Sequence, residues 1–155
     1  MKVETTRFGE IEFKETDVIH LPNGLVGFGQ YRRYIIIPHS ENSPLFWLQS
    51  VDDPGLAFVI IDPMFFRPDY QVVLDVSDAQ AIGIEDISKA AVYAIVVIPS
   101  NDPPKMTANL MGPLVINPET RIGKQIIMQD SPYSTRHFIL EEMKKAYATP
   151  VSDKT

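Results

Sequence analysis

Two adjacent carboxylates, Asp52 and Asp53, are the residues of this chain whose types and spacing come nearest to a catalytic arrangement. A carboxylate pair can perform general acid–base catalysis when the surroundings push the two pKa values apart. Here the pair lies directly before Pro54 and Gly55, a sequence that predicts a tight turn between two apolar runs. Carboxylates at the tip of a turn are solvated and stay ionised, and ionised groups make poor general acids. The pair therefore predicts a charged hairpin tip rather than a catalytic centre.

The residues that could hold a metal or a cofactor are equally isolated. His20, His39 and His137 have no spacing typical of a metal site, and the absence of cysteine excludes disulfides and thiolate metal sites. The glycines of residues 24–29 lack the Lys-Ser/Thr ending of a phosphate-binding loop. We therefore predict that the protein is not an enzyme and that it binds neither a cofactor nor a metal.

The elements that must position these residues are short strands separated by turn residues. The runs on either side of the turn, residues 45–51 and 57–61, are rich in residues that favour strands, and a type II turn with positive φ at Gly55 is predicted between them. Further strands are predicted at residues 3–8, 10–14, 18–21, 34–38, 71–76, 81–84, 93–98, 108–117 and 124–129. Strands so closely spaced favour a mostly β fold, a single-domain antiparallel β-barrel-like or sandwich structure with a C-terminal helix.

The predicted C-terminal helix covers residues 138–147. Its apolar side chains are interrupted by charged ones, and Glu141 precedes Lys145 by four residues, the favourable order for an ion pair on a helix. A single helical turn is predicted at residues 85–90. Because no linker or repeat divides the chain, residues 1–149 are predicted to form one β domain and residues 150–155 a flexible polar tail.

Charge is distributed unevenly along the chain. The formal net charge is −6, but residues 51–102 carry nine acidic side chains against two basic ones, Arg67 and Lys89. Such a segment is typical either of a solvated face that aids solubility or of a surface that attracts a basic protein. No basic stripe is present to meet phosphates, so direct binding to nucleic acid is not expected.

The apolar stretches are also informative about location. None is long enough to span a bilayer, and no secretory signal follows Met1. Together with the absence of cysteine, these features predict a cytoplasmic protein that does not associate with membranes.

The hairpin around Asp52 belongs to a set of segments that, in their order and spacing, resemble the FliW family of flagellar assembly factors. The other segments are Phe8-Gly9-Glu10-Ile11, Leu21-Pro22-Asn23-Gly24-Leu25-Val26-Gly27-Phe28, Ala108-Asn109-Leu110-Met111-Gly112-Pro113-Leu114-Val115-Ile116-Asn117, Gly123-Lys124-Gln125 and Tyr133-Ser134-Thr135-Arg136-His137. The resemblance extends over nearly the whole chain, from about Phe8 to about Leu140.

This resemblance implies two protein partners. Proteins similar to FliW bind cytoplasmic flagellin and also bind CsrA, a small RNA-binding translational repressor, at a site distinct from its RNA surface. The chain is therefore expected to antagonise CsrA noncompetitively and to couple flagellin synthesis to flagellar assembly. Two alternatives remain open. The resemblance also allows a dedicated flagellin chaperone without a regulatory role, and the residues allow an enzyme or small-ligand carrier that uses the interior or mouth of a β-barrel.

Candidate partner-binding residues follow from the segments that carry the resemblance and also contain turn residues or polar groups. They are Pro22, Asn23, Gly24, Phe28, Phe46, Asp52, Asp53, Asn109 and Met111. Phe46 is included because it and Trp47 face opposite sides of one predicted strand, so that one of the two rings could point outward as a binding anchor. Arg136 and His137 are expected instead to fix the entry of the C-terminal helix by bonding nearby carbonyl groups.

Overall fold

The computed structural model describes residues 1–147 of the chain. The strands are β1 (Lys2–Thr5), β2 (Gly9–Glu12), β3 (Ile19–His20), β4 (Arg33–Pro38), β5 (Leu45–Ser50), β6 (Ala57–Ile61), β7 (Ala91–Val97), β8 (Thr107–Ile116), β9 (Gly123–Gln125) and β10 (His137–Phe138). The α-helices are α1 (Val76–Ile82) and α2 (Ile139–Ala146), and short 3₁₀ helices cover Glu15–Asp17, Pro63–Phe65, Ile87–Lys89, Pro99–Asn101 and Pro103–Lys105.

An antiparallel sheet in the order β10-β8-β7-β6-β5-β4-β3 forms the body of the protein, with β9 paired to the second half of β8. The sheet curls until its β3 edge meets the segment that leads into β9. There the His20 N–H donates to the Arg121 carbonyl at 2.8 Å, and His20 forms a bridge with Ile122. The predicted mostly β antiparallel fold is confirmed, and of the two predicted architectures the structure has the barrel-like one, nearly closed.

Alternation along the strands divides the apolar side chains between the inside and the outside of the barrel. The inside contains side chains that are at most 2 % exposed: Ile19, Leu21, Leu25, Tyr34, Leu48, Ile60, Leu114 and Ile116. On the outside a second cluster lies beneath α1 and α2, to which these helices contribute Ile82 and Ile139. The β1–β2 hairpin covers a third cluster against Ile35 of β4.

The turn between β5 and β6 differs from the prediction in one respect. The Leu56 N–H donates to the Asp53 carbonyl at 3.0 Å, so the tight turn is present. Gly55 is not among the glycines with positive φ, so the type II prediction was wrong. Asp53 at the first position explains the difference, because its Oδ1 accepts from the Gly55 N–H at 3.0 Å, and aspartate there favours a type I turn.

The strands predicted at residues 71–76 and 81–84 were wrong as well. Residues 71–75 form no regular element, and Val76–Ile82 is the helix α1. Asp75 caps its N-terminus by accepting from the Asp78 N–H at 2.7 Å, and Gly83 closes it in the left-handed conformation. These two caps decide the structure of a segment whose valines favour a strand.

The remaining predictions of elements agree with the structure within a few residues. The helical turn expected at residues 85–90 is the 3₁₀ helix Ile87–Lys89, and the expected C-terminal helix is α2. The polar tail predicted at residues 150–155 lies outside the described residues.

Candidate functional site

One end of the barrel, here called the mouth, collects most of the candidate residues. The strands β3 and β5 end there and their neighbours β4 and β6 begin there, because all four are antiparallel. The mouth therefore carries both the loop of residues 21–32 and the Asp52–Asp53 turn. The beginning of β8 lies at the same end, since Thr107 pairs with Val97 at the end of β7.

The loop of residues 21–32 covers this opening with apolar side chains. Leu25 is only 2 % exposed, and the Phe28 ring packs edge-on against Phe58 with centroids 5.1 Å apart. Gly24 has φ of 64°, and a Cβ there would lie 2.5 Å from the Phe28 carbonyl oxygen. Gly24 is therefore required by the fold of the loop, whereas Pro22 and Asn23 are exposed and available for contact.

A pocket of about 400 Å³, here called the mouth pocket, opens beside this loop. Its lining residues are Leu25, Val26, Phe58, Ile95, Val97, Thr107, Asn109, Gln125, Thr135 and Arg136. Val26 and Val97 are 69 % and 59 % exposed, and Phe138 lies next to Thr107 in the strand register. The pocket thus combines exposed apolar side chains with amide, hydroxyl and guanidinium groups.

Asn109 shapes the side of the mouth pocket formed by β8. Its Oδ1 accepts from the Met111 N–H at 3.0 Å and from the Gly112 N–H at 2.8 Å. Between the register pairs Tyr93–Leu114 and Ile95–Asn109, β8 advances five residues while β7 advances two. This is a larger bulge than the usual single extra residue. Gln125 Nε2 donates to the Gly112 carbonyl at 3.0 Å and so holds the bulge against β9. Met111, half-buried in the bulge, does not line the pocket.

The Asp52–Asp53 turn is held by hydrogen bonds, whereas solvated carboxylates were expected. Asp52 Oδ1 accepts from Arg33 Nη2 at 2.6 Å and from its Nε at 3.1 Å, so Asp52 is paired rather than simply solvated. This hydrogen bond and the charge of Asp52 raise the pKa of Arg33. Ser50 Oγ accepts from the backbone N–H groups of both aspartates. The turn is therefore a fixed acidic corner of the mouth.

Phe46 is not brought to the mouth. It lies at the other end of β5, packs edge-on against Tyr93, and lines a different pocket with Met64 and Phe65. Trp47 faces the opposite side of the sheet, where His39 stacks on its ring at 5.7 Å and the Arg7 guanidinium lies 4.5 Å from its centroid. Both rings are half-buried.

His137 and Arg136, which lie just before α2, have different roles: His137 fixes the entry of the helix and Arg136 lines the mouth pocket. His137 Nε2 accepts from the Ser134 N–H at 2.9 Å, so the ring fixes the helix entry through an amide and not through a carbonyl as expected. Its Nδ1 lies 3.6 Å from Glu142, which in turn pairs with Arg67 at 2.7 Å. Arg136, by contrast, lines the mouth pocket.

Within residues 1–147, no group of three or more histidine or acidic side chains is arranged to hold a metal ion. No helix in the same part of the chain is long and apolar enough to cross a membrane.

Sequence reasoning assigned no partner-binding role to Gln125, Arg136 or Val97. The signal for Gln125 and Arg136 was present, because both lie in segments that carried the resemblance. Nothing in the local sequence around Val97 distinguishes it from a buried strand residue.

Comparisons with known proteins agree on one family. The family model described as FliW protein matches residues 2–139. The flagellar assembly factor FliW of Alkaliphilus metalliredigens is 43 % identical over 146 residues, covering 94 % of this chain and 90 % of the relative. That of Thermoanaerobacter pseudethanolicus is also 43 % identical, over 149 residues, with coverage of 96 % and 99 %. A crystal structure of the flagellar assembly factor FliW superposes with a TM-score of 0.82 at 32 % identity, covering 90 % of this chain and 96 % of that one. The chain belongs to the FliW family.

Proposed function

We propose that this member of the FliW family binds flagellin in the cytoplasm, and that it antagonises the translational repressor CsrA without occupying the RNA site of CsrA. It thereby couples flagellin synthesis to flagellar assembly. The curated relatives are named flagellar assembly factors, and the two partners are those that the family resemblance implies.

The mouth is the observation that carries this proposal. Val26 and Val97 are large apolar side chains more than half exposed beside Asn109, Gln125 and Arg136. Exposed apolar side chains rimmed by polar groups are typical of surfaces that bind proteins. An arginine with an apolar surround is also a frequent anchor at such surfaces.

The inside of the barrel argues against a carrier of small ligands. The interior side chains Leu21, Leu48, Ile60 and Leu114 are fully buried and belong to one packed cluster. A carrier requires an enclosed apolar cavity of several hundred Å³. The mouth pocket is instead an open depression at the surface.

Binding to both purified partners tests the proposal, with Val97→Arg as the diagnostic variant. Arginine there places a charge among the apolar side chains of the mouth pocket, so we expect affinity for at least one partner to fall about tenfold or more. Val73→Arg is the matched control, because Val73 is 73 % exposed and does not line the pocket. Calorimetry with flagellin and with CsrA measures both affinities.

One result distinguishes the chaperone alternative, and another tests the assignment of the mouth. Binding of flagellin without any release of RNA from CsrA indicates the dedicated chaperone. Equal affinities for the Val97→Arg and Val73→Arg proteins contradict the assignment of the mouth, even if both partners bind elsewhere.

A further inference from the structure

A second surface lies away from the mouth, along α1. It is an open groove of about 900 Å³, here called the acidic groove. Its lining residues are Leu74, Asp75, Val76, Ala79, Gln80, Gly83, Ile84, Glu85, Asp86, Lys89, Asn117, Pro118 and Glu119. Asn117 follows the last residue of β8, whereas the mouth pocket touches the first residues of the same strand. The two surfaces therefore lie at opposite ends of β8.

One wall of the acidic groove is a face of α1 that the described residues leave largely exposed. Val76, Ala79, Gln80 and Gly83 are three or four residues apart and so share one side of the helix. Val76 is 73 % exposed, although the same helix buries Ile82 in the core. The small residues on this face leave room for another chain to approach the helix backbone closely.

The other groups of the acidic groove set its charge. Among the described residues, four carboxylates line it, those of Asp75, Glu85, Asp86 and Glu119, together with one cation, Lys89. Two of the carboxylates are held in place as caps. Asp75 Oδ1 accepts from the Asp78 N–H at 2.7 Å, and Asp86 Oδ1 accepts from the Ser88 hydroxyl at 2.8 Å and from its N–H at 3.0 Å.

The acidic groove therefore has a fixed negative charge. The hydrogen bonds from Ser88 also lower the pKa of Asp86, so this carboxylate stays ionised well below neutral pH. The neighbouring carboxylate of Asp78 does not add to this charge, because it pairs with Lys124 at 2.7 Å. A helix face that presents Val76 and Ala79 next to fixed negative charges is complementary to a chain that is both apolar and basic.

We propose that the acidic groove docks a basic, amphipathic helical segment of a partner protein. The apolar side of the segment lies on Val76 and Ala79, and its Lys or Arg side chains reach Glu85, Asp86 and Glu119. Helix-in-groove recognition of this kind uses an apolar stripe for affinity and charges for orientation. Phosphate-bearing partners are disfavoured, because the same carboxylates repel them. This assignment goes beyond the proposed function and holds whichever protein binds the mouth.

A labelled Leu/Lys peptide of about fourteen residues, designed as an amphipathic helix, is the probe. Its affinity for the full chain is measured by fluorescence anisotropy at low and at high salt, and its position by amide shifts in NMR spectra. We expect saturable binding that weakens with salt, and shifts at α1 and at residues 84–89 and 117–119. A Leu/Glu peptide and a Lys/Gln peptide without an apolar side should each bind at least about tenfold more weakly.

Charge-neutralising variants identify the groove as the site. The combination Glu85→Gln, Asp86→Asn and Glu119→Gln keeps the shapes and the Asp86 cap, and should weaken the Leu/Lys peptide about tenfold. The control combination Glu4→Gln, Glu12→Gln and Asp130→Asn removes the same charge elsewhere and should change affinity less than about twofold. For the apolar part, Val76→Gln should weaken binding several-fold more than Val73→Gln at a valine outside the groove.

Three results would overturn the assignment. Equal weakening by the two charge combinations would mean that only net charge attracts the peptide. Amide shifts confined to the mouth would place the peptide there instead. Equal affinity for the Lys/Gln peptide would remove the apolar helix face from the interaction. None of these results depends on flagellin or CsrA, so a failure here is distinct from a failure of the proposed function.

Discussion

The backbone N–H of Val26 donates to the side-chain Oε1 of Gln125 at 2.9 Å, across 99 residues of sequence. Because Gln125 Nε2 also donates to the Gly112 carbonyl, one side chain joins the loop over the mouth to the bulge of β8. Three of the segments that carry the family resemblance thus meet at one amide. The mouth pocket keeps its shape through this side chain.

Gln125→Leu removes both of these hydrogen bonds while keeping nearly the same size. We expect a loss of about 1–3 kcal/mol in the free energy of unfolding, because the Gly112 carbonyl is left without this donor. The Val26 amide should exchange its hydrogen faster, since the loop loses its attachment to β9. Denaturant melts and hydrogen exchange measure the two effects, with Gln129→Leu at an exposed position as the control. Unchanged exchange at Val26 would show that the loop is held by its apolar contacts alone.

Two buried tyrosines provide a matched test of hydrogen bonding in the core. The Tyr70 hydroxyl donates to the Leu110 carbonyl at 2.6 Å, whereas the Tyr34 hydroxyl has no hydrogen-bond partner among the described residues. Tyr70→Phe should therefore cost about 1–3 kcal/mol, while Tyr34→Phe should be neutral or slightly stabilising. Denaturant unfolding of the two variants measures the difference. A cost for Tyr34→Phe as large as that for Tyr70→Phe would mean that the Tyr34 hydroxyl is satisfied in solution.

The same tyrosine predicts a loss of stability in alkali. Burial, and to a lesser extent the charge of Asp52, raises the pKa of Tyr34 to about 12 from the ordinary 10.0. Because the unfolded chain then loses this proton first, stability is unaffected by Tyr34 below about pH 10 and falls as the pH rises from there toward 12. The fall between pH 10 and 12 should be smaller in the Tyr34→Phe protein. Parallel curves for the two proteins would contradict a raised pKa at this site.

The acidic corner of the mouth is tested by the double variant Asp52→Lys and Asp53→Lys. It loses the pair with Arg33 and the hydrogen bond to the Gly55 N–H, so we expect a cost of about 1–2 kcal/mol but a folded protein. Affinity for flagellin or CsrA should fall if this corner contacts either. Glu4→Lys with Asp130→Lys is the control of equal charge change. Unchanged affinity for both partners, measured by calorimetry on folded protein, would remove the turn from the binding face.

The class of the fold and most strand positions follow from the sequence because each strand alternates and ends at turn residues. The sequence misleads at residues 71–84, where the valines favour a strand but Asp75 and Gly83 cap a helix. Two hydrogen bonds to caps outweigh a weak intrinsic preference for strands there. The bulge at Asn109 could not be predicted, since it depends on a side chain bonding its own backbone and on Gln125 arriving from β9.

The candidate site is partly predictable for a similar reason. Pro22, Asn23 and Asn109 are brought to the mouth because loops at the ends of antiparallel strands converge, a consequence of strand order that the sequence suggests. Phe46 is not brought to the mouth, because it lies at the end of β5 that points away from it. The sequence alone does not give the direction of β5 within the sheet. The distribution of charge also required the structure: the carboxylates of residues 51–102 divide among ion pairs, caps and the acidic groove.

The noncompetitive mechanism proposed at CsrA is tested by the thermodynamic linkage between its two binding partners. If this protein and RNA occupy separate sites on CsrA, each must weaken the binding of the other by the same factor. Titration of CsrA with RNA at several fixed concentrations of this protein should then show an apparent affinity that weakens to a finite plateau. We expect a neighbouring acidic surface of this protein to supply the electrostatic part of the effect. It should shrink with salt, because the Debye length falls from about 10 Å at 0.1 M to about 3 Å at 1 M. An apparent affinity that weakens without limit as this protein is added would mean direct occlusion and would contradict the noncompetitive mechanism. Repeating the titration with the combined variant Glu85→Gln, Asp86→Asn and Glu119→Gln determines whether the acidic groove supplies the electrostatic part. If the plateau lies closer to the affinity of CsrA for RNA alone, that part comes from the groove. An unchanged plateau locates it elsewhere on the protein.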